Sequence, residues 1–100
     1  MAQTAGGNWK ALYQAARTGN LAELEEWLGY DLDLDYQHNE FGTTVLIAAA
    51  EVGHRAVCER LIAAGASLDV VSEWDGCTAQ EAAREHGHAA LATWLEQQAR

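Results

Sequence analysis

The sequence has no long apolar run and few basic residues. No hydrophobic stretch approaches the roughly 18 consecutive residues that cross a bilayer. Residues 1–8 lack the basic and apolar segments of a secretory signal, so we expect a short flexible lead-in. Only 6 lysines and arginines stand against 15 aspartates and glutamates, which gives a net charge of −9. Because this charge repels phosphate backbones and anionic lipids, we expect neither nucleic acid nor a membrane as partner.

Cysteine is also scarce. The two cysteines, Cys58 and Cys77, are far apart in the sequence, and neither belongs to a Cys-x-x-Cys pair. A small secreted scaffold usually carries more cysteines, so this usage favours a reducing compartment. We therefore expect a cytoplasmic or nuclear protein, in which Cys58 behaves as a small core residue on an apolar helical face.

Motifs of catalysis and phosphate binding are missing. The chain contains no Gly-x-Ser-x-Gly, no Walker-type glycine-rich loop ending in Lys-Ser/Thr and no Gly-x-Gly-x-x-Gly. Glu23, Glu25 and Glu26 are predicted to lie on a solvated helix face, whereas acid–base catalysis needs carboxylates that converge in a dry cleft. We therefore predict that the protein is not an enzyme and that it has no catalytic residue and no cofactor.

The histidines are the best candidates for a metal site. His86 and His88 form a His-x-His pair close to Cys77, while His38 and His54 lie elsewhere. Zinc needs three or four ligands that converge tetrahedrally, and these residues are scattered. We therefore predict no metal site. A metal-dependent enzyme is the alternative that stoichiometric zinc would reveal.

What the sequence does contain is an internal repeat. Gly19, Gly53 and Gly87 lie 34 residues apart, and a similar apolar pattern follows each of them. In the middle unit, apolar residues at helical spacing predict one helix over about 44–52 and a second over about 55–64. Because a single helix pair cannot bury its apolar stripe, the period predicts three stacked helix pairs.

The helices of this repeat have recognisable start and stop signals. Gly53 separates the two helices of the middle unit, at a helix end where positive φ suits glycine. Thr44 and Thr78 stand where an N-cap belongs, because a hydroxyl group can accept a hydrogen bond from a free amide of the first turn.

The repeat resembles the ankyrin repeat. Two segments match that family's motif well, a third matches the form of its terminal repeats, and a fourth is a degenerate first repeat. The two good matches are GTTVLIAAAEVGH at 42–54 and AAGASLD at 63–69. The terminal form is GCTAQEAAREHGH at 76–88, and the degenerate first repeat is KALYQAARTGN at 10–20. The resemblance covers about residues 9–98.

The resemblance implies the fold and its divisions. It implies an all-α ankyrin-repeat solenoid of three stacked helix-turn-helix units, with fingers that project as β-hairpins or loops. A flexible segment over 1–8 would precede a repeat domain over 9–98. The three repeats would span about 9–41, 42–75 and 76–98.

The chain departs from the family pattern at a few positions. Val45 occupies the slot of the motif's proline and Ile47 that of its histidine, so the link between repeats that this histidine makes is not carried over. The resemblance implies packing and local hydrogen bonding for His54 and His88, which follow the repeat glycines. Gln80 replaces the stacking leucine, which suits a last unit whose outer side meets water.

A period of 34 residues also suggests tetratricopeptide repeats. Those repeats need a recurring Trp-x2-Leu-Gly-x2-Tyr pattern and a proline after the second helix. The WLGY segment at Trp27 occurs once, and the chain contains no proline. The ankyrin-like fold is therefore preferred.

Protein binding is the function that the resemblance implies. In ankyrin-like proteins, the finger tips and the exposed side of the first helices form a concave binding surface. Carried onto this sequence, that surface comprises Trp9, Arg17, Thr18, Glu40, Phe41, Thr43, Glu51, Val52, Trp74, Asp75, Cys77, Glu85 and His86.

The chemistry of this surface predicts the kind of partner. Phe41 and Trp74 are either apolar anchors for the partner or internal packing residues, since aromatic side chains are favoured at interface hot spots. Acidic residues form the rim around them, and this favours a partner with a basic, apolar-centred patch. These rim residues are Glu40, Glu51, Asp75 and Glu85.

Two other functions fit the same fold. A small inhibitor or adaptor could occupy an enzyme surface, for example that of a kinase, although only fold analogy supports this. A structural protein could self-associate through the ends of the stack. We expect the protein to be a monomer rather than a homo-oligomer.

Overall fold

Six helices follow one another in three pairs. The computed structural model describes residues 7–29, 33–37 and 41–99. The helices are α1 (Gly7–Thr18), α2 (Leu21–Leu28), α3 (Val45–Val52), α4 (Arg55–Ala63), α5 (Ala79–Glu85) and α6 (Ala89–Gln98). None of these helices is both long and apolar enough to cross a membrane. The all-α repeat architecture is therefore confirmed.

The fingers that connect the pairs are loops. We call the described residues 33–37 and 41–43 the first finger, and residues 66–77 the second finger. Neither finger contains a strand within these described ranges, so the β-hairpin form of the predicted fingers is absent there. Residues 1–6, which make up most of the predicted flexible segment, lie outside the described residues, and α1 begins at Gly7.

Local signals set the helix ends. Thr44 precedes α3 and accepts a hydrogen bond from the Ile47 N–H at 3.2 Å. Thr78 precedes α5 and forms a capping box, because its hydroxyl oxygen accepts from the Glu81 N–H while the Glu81 carboxylate accepts from the Thr78 N–H. Gly53 ends α3 with φ +80°. The predicted middle helices at 44–52 and 55–64 thus agree with the structure to within one residue.

Helix α3 is the centre of the core. It packs on α1 on one side and on α5 on the other, and α4 pairs with it. Leu46 and Ile47 are buried on this helix, and the small residues Ala48, Ala49 and Ala50 let the neighbouring helices approach closely. The first helices of the three repeats therefore form one continuous row.

The outer side of the third repeat is polar. Gln80, Glu81 and Arg84 take the positions that the buried residues Leu46, Ile47 and Ala50 hold one repeat earlier. Gln80 is half-buried, whereas Glu81 and Arg84 are exposed. The last unit therefore ends the stack with a face suited to water, as the sequence predicts from Gln80.

Candidate functional site

Histidines link each repeat to the one before it. His54 Nε2 lies 3.0 Å from the Arg17 carbonyl oxygen, and His88 Nε2 lies 3.0 Å from the Glu51 carbonyl oxygen. The Nε2–H tautomer donates to these carbonyls. The link that Ile47 cannot make is therefore made by His54 and His88, the residues after Gly53 and Gly87, and it joins their repeats to the ends of the preceding first helices.

The histidine rings also lie against the repeat glycines. A Cβ atom at Gly19 would stand 2.9 Å from the His54 ring, and one at Gly53 would stand 2.7 Å from the His88 ring. Within the described residues no repeat precedes the first one, and Asn20 takes the histidine position there. Its side chain accepts from the Glu23 N–H at 3.1 Å and caps α2 instead.

An aromatic cluster joins the first finger to α1. The ring centroids of Trp9 and Tyr13 are 5.0 Å apart, and Phe41 lies 5.6 Å from Trp9 and 4.6 Å from Tyr13. Trp9 is 1% exposed, and its indole N–H donates to the Tyr36 carbonyl at 3.2 Å. Phe41 is half-buried and packs within this cluster. Phe41 therefore packs against Trp9 of α1, and neither ring projects freely as the prediction of an apolar anchor at Phe41 would require.

Trp74 is placed differently from Phe41. It is 64% exposed, although its ring lies so close to Gly42 that a Cβ atom there would stand 2.3 Å from it. Exposed Glu73 and Asp75 flank it in the sequence. An exposed indole offers a large apolar face with a polar N–H at its edge, which suits it to contact with a partner.

A pocket of about 220 Å³ opens between the second finger and the ends of two first helices. Glu51 comes from the last turn of α3, Glu85 is the last residue of α5, and Asp75 comes from the second finger. Five predicted surface residues meet here. The complete lining is Glu51, Asp75, Cys77, Ala82, Glu85 and His86.

Two lining residues, Cys77 and His86, already form hydrogen bonds within the protein. The Cys77 thiol donates to a Glu85 carboxylate oxygen at 3.5 Å. Burial raises the pKa of the Cys77 thiol, and the hydrogen bond that it donates to Glu85 raises this pKa further, so the thiol stays protonated at neutral pH. His86 Nδ1 lies 2.9 Å from the Ala82 carbonyl oxygen, at the end of its own helix. The carboxylate groups of Glu51, Asp75 and Glu85 are therefore the groups of this pocket that could bind a cation from a partner.

The electrostatics of the pocket are negative for two reasons. Three carboxylates line it, and the C-terminal ends of α3 and α5 add the negative end of their helix dipoles. Acidic residues in a last helical turn are unfavourable for the helix itself. Glu51 and Glu85 occupy such positions, so local helix stability does not explain them.

One repeat position changes charge along the row of first helices. It holds Arg17, Glu51 and Glu85 in successive repeats. Arg17 Nη1 lies 3.6 Å from a Glu51 carboxylate oxygen, and its guanidinium lies over the Tyr13 ring at 5.7 Å. In the described part of the chain, no lysine or arginine forms an ion pair with Glu85. The negative charge therefore increases toward the third repeat.

The other predicted surface residues lie at different depths. Arg17 and Thr18 are exposed at the end of α1, and Val52 is half-buried at the end of α3. Thr43 is buried, as are Trp9 and Cys77, so these three offer little area for contact. Glu40 lies outside the described residues, as does His38. Within the described ranges, no group of three His, Cys, Asp or Glu side chains is arranged to hold a metal ion.

Sequence reasoning missed two residues that shape this surface. Tyr13 lies in the aromatic cluster, and its equivalence with the core position Ile47 is a signal that could have placed it there. Gln37 bonds to the second finger, at 2.8 and 2.9 Å. No local pattern marks Gln37, because its partners lie 34 and 36 residues away.

Comparison with known proteins bears on the whole of this arrangement. A family model described as ankyrin repeats in three copies matches residues 7–99. No curated protein gives a significant match. The family match includes all six helices and both fingers.

Proposed function

The chain belongs to the ankyrin repeat family, and from this membership we propose that it is a non-catalytic module that binds a protein through its concave surface. Ankyrin repeats are generally protein–protein interaction modules, and the family is typically non-catalytic. The observation that carries the proposal is the pocket in which Glu51, Asp75 and Glu85 converge, next in sequence to the exposed Trp74.

The chemistry of this surface favours a partner with a particular kind of contact patch. Three carboxylates in one concave site attract a lysine or arginine side chain, and the exposed indole of Trp74, next in sequence to Asp75, offers apolar contact. The net charge of −9 adds a long-range attraction for a basic protein. We therefore propose a partner whose contact patch has an apolar centre and basic residues around it.

Several of the protein's own basic residues are already paired. Arg60 bonds to Glu25 and Arg55 to Glu59, both on the helices that follow the repeat glycines. Arg17 contacts Glu51 on the concave side. The side chains around Asp75 and Glu85 thus leave room for a positive charge that comes from outside.

A peptide panel tests the proposal. The probes are acetylated, amidated heptapeptides with a central leucine flanked by arginines or lysines, and matched peptides flanked by glutamates. Fluorescence anisotropy at two salt concentrations measures binding. We expect the basic peptides to bind, the acidic ones not to bind, and the affinity to fall as salt rises.

Variants then locate the site. Trp74→Ala and the double variant D75N/E85Q should each weaken binding by about ten-fold, which corresponds to about 1.4 kcal/mol of binding free energy. Leu21→Ala and Glu59→Gln serve as matched controls, because both residues are exposed but lie on α2 and α4. Equal binding by all four folded variants, checked by circular dichroism, would refute this site.

A further inference from the structure

Two side chains of the first finger bond to the second finger. Asp35 Oδ1 accepts a hydrogen bond from the Ser67 N–H at 2.8 Å near the start of that finger, and Gln37 bonds near its tip. Gln37 Oε1 accepts a hydrogen bond from the Glu73 N–H at 2.8 Å, and Gln37 Nε2 donates to the Val71 carbonyl at 2.9 Å. The amide thus satisfies a backbone donor and a backbone acceptor on either side of Ser72. This pairing resembles the way in which a neighbouring strand would bond, although neither finger is a strand.

Gly42 completes the attachment. Its carbonyl oxygen accepts from the Glu73 N–H at 2.9 Å and from the Trp74 N–H at 3.3 Å. Its φ of +57° and its missing side chain let the Trp74 ring lie directly on the backbone. The residue that presents the exposed indole is therefore held through its own amide and that of its neighbour.

The second finger is also closed internally, without help from Gln37. Ser72 is 1% exposed, its N–H donates to the Cys77 carbonyl at 2.9 Å, and its hydroxyl oxygen accepts from the Cys77 N–H at 3.3 Å. The Gly76 N–H donates to the Ser72 carbonyl at 2.9 Å. The finger tip is therefore a turn of fixed shape, and Gln37 is the side chain that, together with the Gly42 carbonyl, holds this turn against the first finger.

We propose that Gln37 is a positioning residue for binding, which fixes the second finger so that Trp74 stands ready beside the acidic pocket. This inference rests on the proposed function. Trp74 is 64% exposed, so packing alone restrains it weakly. A binding residue that is already ordered loses less conformational entropy when the partner arrives, and affinity rises accordingly.

Two variants at this position separate its two hydrogen bonds. Gln37→Glu keeps the acceptor for the Glu73 N–H but places a carboxylate against the Val71 carbonyl, and Gln37→Ala removes both bonds. We expect hydrogen exchange at the Glu73 amide, measured by NMR, to accelerate about five-fold in Gln37→Ala. The thermal midpoint should change by no more than about 2 °C, since Gln37 is only half-buried and its hydrogen bonds hold a finger rather than the helical core. Gln98→Ala, an exposed glutamine on α6, is the control.

The binding measurement uses the arginine-flanked leucine heptapeptide described above. We expect its affinity to fall about three- to ten-fold in Gln37→Ala and in Gln37→Glu, and to stay unchanged in Gln98→Ala. Loss of affinity in Trp74→Ala, with wild-type affinity and exchange in both Gln37 variants, would overturn the positioning role and leave the proposed function intact. Wild-type affinity in Trp74→Ala would remove the proposed function and this inference with it.

Discussion

Gly53 has two separate reasons to be a glycine. Its φ of +80° is a left-handed conformation in which a side chain is strained, and the His88 ring fills the space where a Cβ atom would stand. Gly87 is the equivalent residue of the next repeat and has φ +84°, but no atom lies within 4 Å of a Cβ built there. A comparison of Gly53 with Gly87 therefore distinguishes the effect of backbone strain from that of the contact between repeats.

Alanine at these two glycines should have unequal effects. Both Gly53→Ala and Gly87→Ala incur a left-handed strain of about 1–2 kcal/mol. Only Gly53→Ala must also displace the His88 ring, so we expect it to lower the free energy of unfolding by about 1–3 kcal/mol more. Urea denaturation of both variants measures the difference. Equal losses would mean that the histidine contact adds nothing to stacking.

Cys58 gives a prediction for the dependence of stability on pH. Burial raises the pKa of its thiol from 9.0 to about 12, with a smaller contribution from Glu59. Because the folded pKa lies above the unfolded one, the stabilisation is fully present below pH 9 and is lost between about pH 9 and 12. The loss is about 1.4 kcal/mol per pH unit in that window.

Urea titrations at pH 8.5 and pH 10.5 test this prediction. Cys58→Ala is the control, since other groups also titrate in this range and their effect remains in the variant. We expect the wild-type protein to lose more stability than the variant over this interval. Identical losses would contradict a buried neutral thiol at this position.

At the scale of single elements, helix α5 depends on its cap. It spans only Ala79–Glu85, and Thr78 and Glu81 close a capping box at its start. Thr78→Ala should therefore lower the free energy of unfolding by about 1 kcal/mol. Thr93→Ala, an exposed change within α6, should have little effect or stabilise slightly, because alanine has the higher helix propensity. Thermal unfolding followed by circular dichroism compares the two, and equal midpoints would show that the cap is dispensable.

Some features of the helices and fingers could be predicted from the sequence, and others could not. The bounds of α3 and α4 were predictable to within one residue, because threonine caps, glycine stops and apolar spacing are local signals. The depth of Trp9, Thr43 and Cys77 was not predictable, since it depends on how the fingers fold back against the first helices. Motif position placed these residues on the concave side but carried no information on their burial.

Part of the candidate site was predictable for the same reason. Glu51 and Glu85 fall at one repeat position near the end of a first helix, so the period alone brings them to the same side. Gln37 was missed because its hydrogen bonds join two fingers that meet only after the repeats stack. Contacts between repeats depend on the packing of the whole chain, which a local pattern does not encode.

At the scale of the whole molecule, the polar outer face of the third repeat leads to a prediction of the oligomeric state. Gln80, Glu81 and Arg84 replace the apolar residues through which α3 packs on its neighbours. We therefore expect a monomer whose mass does not change with concentration in static light scattering. A dimer of the wild-type protein would contradict this reading of the third repeat.

The same face gives a variant that should associate. Restoring the residues of the middle repeat in the triple variant Q80L/E81I/R84A exposes an apolar patch where another unit could stack. We expect its apparent mass to rise with concentration in the same measurement. A triple variant that stays monomeric would show that side chains outside α5 keep the molecules apart.

The succession of Arg17, Glu51 and Glu85 has a consequence for any extended ligand. The equivalent position carries a cation at one end of the row and anions at the other, so the two ends of the row attract opposite charges. A segment with opposite charges at its two termini would therefore lie with its acidic terminus by α1 and its basic terminus by α5, so that the groove distinguishes a peptide from its reverse.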